Sequence, residues 1–169
     1  KHLERINSVV SSMLNLYDSS RQLTKFTQPV SSLLGESKKL LEDLSDIPVK
    51  MEIDELKNDS YCFDQIQMSQ VLYNLGKNSF QAIENHPNPW VKLSASIVEN
   101  DKLQILVTDS GEGIPDNVAD RMFDTKFSTK SQGEGHGLGL KICSKIIKSH
   151  EGSIEVLRGT ANTTIRIII

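Results

Sequence analysis

Residues 70–82 read Gln-Val-Leu-Tyr-Asn-Leu-Gly-Lys-Asn-Ser-Phe-Gln-Ala and carry two patterns of helical period. One is mainly apolar and predicts a helix face packed on a core, formed by Met68, Leu72, Leu75, Ser79, Ala82 and Ile83. The other is a stripe of amides beside it, formed by Asn74, Asn78, Gln81 and Asn85. The prolines of His86-Pro87-Asn88-Pro89 end this long amphipathic helix.

The flanking segments predict a sheet and further helices. Downstream, apolar residues alternate over 91–97 and 103–107 across the polar turn Glu99-Asn100-Asp101, as in an antiparallel hairpin. A short helical stretch at 118–123, a helix over 138–149 and strands over 154–157 and 163–169 follow. Upstream, Pro29 breaks the chain, and a strand is predicted over residues 49–53. Between them a helix is predicted from its leucines, which are Leu33, Leu34, Leu40, Leu41 and Leu44.

This mixed order of elements favours an α/β (α+β) two-layer sandwich, with a mixed sheet covered by helices on one face. An N-terminal helix is predicted to precede it. Its seam is either the start of a coiled coil or the face of an amphipathic helix on its own domain, and consists of Leu3, Ile6, Val10, Met13 and Tyr17.

Composition limits the class of protein. The 169 residues are 37% hydrophobic and 24% charged, which suits one folded domain with an additional element. A net charge of −3 argues against nucleic-acid binding, which needs clustered Lys and Arg. Cys62 and Cys143 form no zinc or disulfide pattern, so a reducing compartment is expected. No apolar run is long enough for a membrane span, although the parent protein could still be membrane-anchored.

Two of the polar segments allow more than one interpretation. Asn78 offers an amide oxygen suited to Mg²⁺, but the amide stripe is equally typical of a solvated helix face. Asp109 ends a strand and precedes Ser110-Gly111-Glu112-Gly113-Ile114-Pro115, so its carboxylate could accept a purine amine. The same loop is also typical of a plain turn, whereas a calcium loop would require more acidic ligands.

The segment Gly133-Glu-Gly-His-Gly-Leu-Gly-Leu140 leads into a helix and predicts an anion site of backbone N–H groups. It is neither a Walker A motif nor a Rossmann fingerprint. His136 is either a phosphate contact or a tolerated loop residue. Residues 123–130 before it are either a lid over phosphates, seated by Phe123 and Phe127, or an ordinary basic loop.

In order and spacing these segments resemble the N, G1, F and G2 boxes of the histidine kinase ATP-binding domain, whose superfamily includes gyrase, Hsp90 chaperones and MutL. The resemblance covers about residues 48–169. It departs from the family pattern at Ser79, where Ala is usual, and at Thr125-Lys126, where Pro-Phe is common.

The resemblance implies a Bergerat-type fold that binds ATP and Mg²⁺, with adenine read by Asp109 and magnesium held by Asn78. The implied nucleotide-binding set is Asn78, Gln81, Ala82, Asp109, Gly111, Gly113, Ile114, Phe127, Thr129, Lys130, Gly133, Gly135, His136, Gly137, Leu138, Gly139 and Thr164. The implied catalytic set is Asn74, Asn78 and Lys130.

Position 74 separates a kinase from an ATPase. Superfamily hydrolases carry a glutamate four residues before the magnesium asparagine as general base, and Asn74 stands there. Because an amide cannot accept that proton, phosphoryl transfer to a separate acceptor is favoured.

The resemblance places that acceptor, a histidine, in a His-Glu-x-x-Asn/Thr-Pro pattern on an upstream helical dimerisation domain, and the phosphoryl group then passes to a response regulator aspartate. The chain lacks this pattern. Residues 1–25 are interpreted as the C-terminal part of the hairpin and 26–169 as the catalytic domain. The full-length protein is expected to be a homodimer with a cytoplasmic catalytic domain; whether the parent protein is anchored in the bacterial inner membrane is left open. The alternatives are a nucleotide-sensing module without phosphotransfer and, less favoured, a serine kinase of the same superfamily.

Overall fold

The computed structural model describes residues 23–54, 59–123 and 138–169. Within these ranges it has seven strands and four α-helices. In chain order they are β1 (Phe26–Pro29), α1 (Val30–Glu42), β2 (Val49–Ile53), β3 (Ser60–Phe63), α2 (Gln65–Ile83), β4 (Val91–Val98), β5 (Lys102–Asp109), α3 (Asp116–Ala119), α4 (Leu138–Ser149), β6 (Ser153–Val156) and β7 (Thr164–Ile168).

Five strands form one mixed sheet in the order β2-β4-β5-β7-β6. β2 runs parallel to β4, and the other neighbours are antiparallel. The predicted hairpin is confirmed as β4 and β5, in which Val91 pairs with Asp109 and Val98 with Lys102. This register places the end of β5, where the Asp109 loop begins, in the middle of the sheet.

Alternation along the strands gives the sheet one apolar face, and α1, α2 and α4 pack on that face. α2 contacts both α1 and α4 and is therefore the central helix. The predicted two-layer arrangement is confirmed. Among the largest fully buried side chains are Leu33, Leu34, Leu41, Met68, Leu72, Leu75, Leu93, Leu103, Ile105 and Ile146.

A second sheet was not predicted. β1 and β3 pair antiparallel, from Phe26 opposite Phe63 to Pro29 opposite Ser60. Each strand is only four residues long and shows little alternation, so the sequence carries no clear strand signal there. Pro29 does interrupt the chain as predicted, since β1 ends and α1 begins at that point.

Several predicted details were wrong. The short helix expected at 118–123 spans Asp116–Ala119, because Pro115 precedes and starts it. Ala82 was assigned to the buried face of α2 but is exposed, and Asn85 lies beyond the end of that helix. In the strand predicted over residues 49–53, alternation placed Met51 on the buried face, but Met51 is 42% exposed because β2 is an edge strand. Residues 23–25, the last of the predicted N-terminal helical segment, are neither helix nor strand.

The remainder of that segment, residues 1–22, lies outside the described residues. Within the described ranges, no helix is long and apolar enough to cross a membrane.

Candidate functional site

Asp109 is held at the end of β5 with only 2% of its surface exposed. Its backbone N–H donates to the Thr163 carbonyl at 2.9 Å, which fixes the backbone beside β7. Its Oδ1 atom accepts the Gly111 N–H at 2.9 Å, which fixes the carboxylate. A carboxylate can accept several hydrogen bonds, so Asp109 can also accept one from a ligand amine.

Gly111 is required by close contacts. A Cβ atom on it would lie 2.8 Å from Asp109 Oδ1, 3.0 Å from Thr163 Oγ1 and 3.6 Å from Ile83 Cγ2. Any side chain at this position would therefore displace the carboxylate that the loop presents. Gly113, two residues later, has a φ of 93°, which favours glycine.

Neighbouring polar groups brace this loop. The Ser110 N–H donates to the Trp90 carbonyl at 3.0 Å, and the Trp90 N–H donates to Ser110 Oγ at 3.3 Å. The hydroxyl of Thr164, a predicted nucleotide contact, is buried and donates to Thr108 Oγ1 at 3.3 Å across the β5–β7 pair. The loop is therefore rigidly attached to the sheet.

The amides of α2 lie in two different environments. Asn74 is 7% exposed, and Asn78, one turn later, is half-buried. Asn74 Nδ2 makes no hydrogen bond of ordinary geometry with the described residues. Burial raises the pKa of the adjacent Cys143 thiol to about 12, and the Asn74 amide opposes that rise. The thiol is a weak acceptor, so this buried donor is poorly satisfied, and Asn74 is a candidate for ligand contact.

α4 brings the glycine-rich segment to the same place. Leu138 and Gly139 are its first two residues, and a Cβ atom on Gly139 would lie 3.9 Å from Asn74 Cγ. The end of α4 that faces α2 here is thus its N-terminus, where backbone N–H groups lack helical partners.

Three of the four predicted segments are therefore connected in space. Ile83 of α2 approaches the Gly111 loop, and Asn74 of α2 approaches Gly139 of α4. Gln81 and Ala82 are exposed near the end of α2, and Ile114 is partly buried against the core. The remaining predicted contacts lie outside the described residues: Phe127, Thr129, Lys130, Gly133, Gly135, His136 and Gly137.

A cavity of about 370 Å³ lies beside this cluster rather than in it. It is lined by residues 112–116 and 157–160, and Asn74, Asn78, Asp109 and Gly139 are not among its lining residues. Arg158 at its rim forms ion pairs with Asp116 and Asp120. The cavity adjoins the Gly111 loop, and two of the predicted nucleotide contacts, Gly113 and Ile114, line it.

A model of the histidine kinase-, DNA gyrase B- and HSP90-like ATPases matches residues 63–169, which include α2, the Asp109 loop and α4. The chain belongs to this family. The resemblance inferred from the four boxes is confirmed, and the family is one of nucleotide-binding ATPase domains.

Individual relatives agree with the family. The chain is 31% identical over 162 residues to the sensor protein SrrB of Staphylococcus aureus, a match that covers 90% of this chain and 27% of SrrB. The chain thus spans about a quarter of the length of the curated relatives it matches. Its fold is similar to the catalytic domain of the histidine kinase ThkA, with a TM-score of 0.72, 28% identity, and coverage of 88% and 95% of the two chains.

ThkA in complex with the response regulator protein TrrA is a further match, with a TM-score of 0.74 over 99% of this chain and 48% of that one. Because the sequences are only 23% identical, this match shows only that the two chains share a fold.

Sequence analysis missed two buried polar residues at the far end of the same helices. Asp64 caps α2 by accepting the Gln67 N–H, and its own N–H donates to His150 Nε2. The Asp-x-x-Gln pattern of residues 64–67 is a helix-start signal that predicts the cap. The His150 contact joins residues 86 positions apart, and no local signal predicts it.

Proposed function

We propose that this chain is the ATP-binding catalytic part of a sensor histidine kinase. In this proposal it transfers the γ-phosphoryl group of Mg-ATP to a histidine on an upstream dimerisation domain, for relay to a response regulator aspartate. The observation that carries the proposal is that α2, in a chain of this family, approaches the Gly111 loop through Ile83 and Gly139 of α4 through Asn74.

Asp109 is proposed to read the adenine ring. Its carboxylate is buried, is oriented by the Gly111 N–H, and can accept the exocyclic amine by a charge-assisted hydrogen bond. Because position 111 is glycine, no side chain displaces this carboxylate, whose Oδ1 atom would lie 2.8 Å from a Cβ atom there. Gly113, Ile114 and Thr164 are proposed as the flanking contacts.

The amide side chains of α2 fit a metal–phosphate group. Asn78 offers a hard oxygen for Mg²⁺, and the poorly satisfied Nδ2 of Asn74 is a donor suited to a phosphate oxygen. No group of three His, Cys, Asp or Glu side chains among the described residues is arranged to hold a metal. That fits Mg²⁺, which retains waters and is held partly by phosphates. When bound, ATP would supply the phosphoryl group, and the Mg²⁺ ion would offset the negative charge of the phosphates.

Asn74 also supports transfer over hydrolysis. A general base must accept a proton from water, which a neutral amide cannot do at physiological pH. The remaining catalytic assignments, Lys130 and the glycine-rich contacts, follow from the motif resemblance.

The partners follow from the relatives. SrrB is described as a sensor protein, and a ThkA structure contains a response regulator. We infer a response regulator partner, a homodimeric full-length protein and a cytoplasmic catalytic domain. Residues 1–25 are proposed as the end of the dimerisation hairpin and 26–169 as the catalytic domain.

Calorimetric titration with a non-hydrolysable ATP analogue, with and without Mg²⁺, tests the site. We expect Mg²⁺-dependent binding that Asn78→Ala makes insensitive to the ion. Asn85→Ala is the matched control, because Asn85 is an exposed amide beyond the helix end and should not alter binding. Absence of binding by the unaltered chain would contradict the nucleotide site itself, whereas an unchanged Mg²⁺ effect in Asn78→Ala would contradict only the metal assignment.

A transfer assay separates the kinase from a nucleotide-sensing module. The chain is mixed with Mg-ATP and a dimerisation hairpin that carries the acceptor histidine, and acid-labile phosphohistidine is measured. We expect labelling of the hairpin and none of a hairpin with the acceptor histidine changed to Gln. Tight nucleotide binding without labelling of either hairpin would favour the sensing module.

A further inference from the structure

The entry junction is a buried polar contact far from the nucleotide-site cluster, formed by Thr24, Asp64, Ile146 and His150 with Lys25 at its edge. It lies where residues 23–25 enter the domain, at the N-terminus of α2 and the C-terminus of α4. Asp64 and His150 are 2% and 5% exposed. None of these residues takes part in the proposed nucleotide chemistry.

Asp64 connects three parts of the chain. Its Oδ1 atom accepts the Gln67 N–H at 3.1 Å and caps α2. Its Oδ2 atom accepts the Thr24 N–H at 3.0 Å and holds the entering segment. Its own backbone N–H donates to His150 Nε2 at 3.0 Å. Asp64 therefore links His150 to the entering segment, in addition to its own attachment to α2.

These contacts determine the protonation state of the imidazole. Because Nε2 accepts the Asp64 N–H, it carries no proton, and the ring proton is on Nδ1. Nδ1 then donates to the Ile146 carbonyl at 2.9 Å. His150 is thus neutral in this arrangement, and a proton on Nε2 would point directly at the Asp64 N–H.

We propose that His150 is a pH-sensitive positioning residue, whose protonation releases the Asp64–Thr24 contact and so loosens the entering segment from the domain. Release of the segment would affect phosphoryl transfer by changing the angle between this domain and an upstream acceptor helix, and this consequence rests on the proposed function. The release itself does not depend on the proposed function.

The charged surroundings agree with a neutral ring. Burial lowers the pKa of His150 below its ordinary 6.5; the Ile146 carbonyl raises it, Lys25 lowers it and Asp64 raises it. Lys25 in turn lies 3.9 Å from the Glu151 carboxylate. A histidine whose pKa is lower in the closed junction than in the open one favours closure above pH 6.5. Closure weakens as pH falls from 6.5 towards the lowered pKa and levels off below it.

Amide hydrogen exchange of Thr24, followed by NMR on the full chain between pH 5 and 8, tests the proposal. After correction for intrinsic exchange, protection should fall about tenfold per pH unit below about pH 6.5, since one proton is taken up on opening. The carbon-bound imidazole resonances of His150 should titrate below 6.5 over the range in which this fall levels off.

His150→Gln supplies the rescue. A Gln side chain can accept from the Asp64 N–H but does not titrate, so Thr24 protection should persist at low pH. His86→Gln is the matched control, because the His86 ring accepts only its neighbouring Asn88 N–H and should leave the pH profile unchanged. Flat Thr24 protection in the unaltered chain, or the same pH dependence in His150→Gln, would overturn the proposal.

Nucleotide calorimetry at pH 7.5 on the same samples keeps the two proposals separable. His150→Gln should bind the ATP analogue as the unaltered chain does. Loss of binding in the unaltered chain would refute the nucleotide site and leave the Thr24 profile as a valid test of the junction.

Discussion

The two ends of the α2–α4 helix pair are built in opposite ways. At one end, Asp64 and His150 are buried, bonded to each other and bonded to Gln67 and Ile146. At the other end, Asn74 is also buried, but its amide donor has only the weakly accepting Cys143 thiol among the described residues. Well-satisfied buried groups add stability and poorly satisfied ones cost it, so the Asp64–His150 contact stabilises the fold, whereas Asn74 is suited to a ligand.

The comparison predicts that changes at the two ends affect different properties. Substitutions at the satisfied end should lower the free energy of unfolding. Substitutions at the other end should alter nucleotide binding or transfer and leave stability the same or higher.

The largest expected effect is Gly152→Ala at the satisfied end. A Cβ atom there would lie 2.3 Å from the Ile168 carbonyl oxygen and 2.7 Å from Ile169 Cγ2, so the backbone must move. We expect a loss of about 3 kcal/mol or more in the free energy of unfolding, measured by urea denaturation. Gly35→Ala in α1 is the control, with no atom within 4 Å, and should gain about 0.5–1 kcal/mol. Equal effects of the two substitutions would contradict the tight packing at Gly152.

Next in size is Asp109→Asn, which removes the charge that is proposed to accept the adenine amine. The amide retains an oxygen for the Gly111 N–H, so the fold should be little affected. We expect affinity for an ATP analogue to fall about 10- to 100-fold, as for loss of one charge-assisted hydrogen bond. Calorimetry measures it.

Asp46→Asn, an exposed acid in the loop between α1 and β2, is the control for Asp109→Asn. Unchanged affinity in Asp109→Asn would remove Asp109 from the site.

Asp64→Ala should have a smaller effect on stability. It removes the cap of α2 and the acceptor of the Thr24 N–H, and we expect a loss of about 1 kcal/mol in the free energy of unfolding. Asp64→Asn should recover most of it, because Asn is an equally good cap. A full loss in both variants would show that the charge, not the cap geometry, provides the stability.

The smallest effect is expected to have the opposite sign. Asn74→Leu replaces a buried amide whose donor is poorly satisfied by an apolar side chain of similar size, so stability should stay the same or rise by up to about 1 kcal/mol. Phosphoryl transfer to the supplied hairpin should fall. Destabilisation by more than about 1 kcal/mol would show that Asn74 has a structural partner, and the contrast between the two ends would then fail.

The fold was largely predictable because its signals are local. Alternation over residues 91–107 predicted β4 and β5, and the helical period of residues 68–83 predicted α2. The β1–β3 sheet was not predictable, since four-residue strands gain their stability from pairing with a distant partner.

Candidate site residues could also be proposed from the sequence. Asp109 and Asn78 were proposed because turn chemistry and amide spacing are local features of the chain, and their roles stay predictions. The sequence alone therefore determined the fold class and the family. The tertiary structure decided which amide is buried and poorly satisfied, which face of α2 Ala82 occupies, and that Asp64 meets His150. Those properties depend on contacts between residues far apart in the chain, and local periodicity carries no information about them.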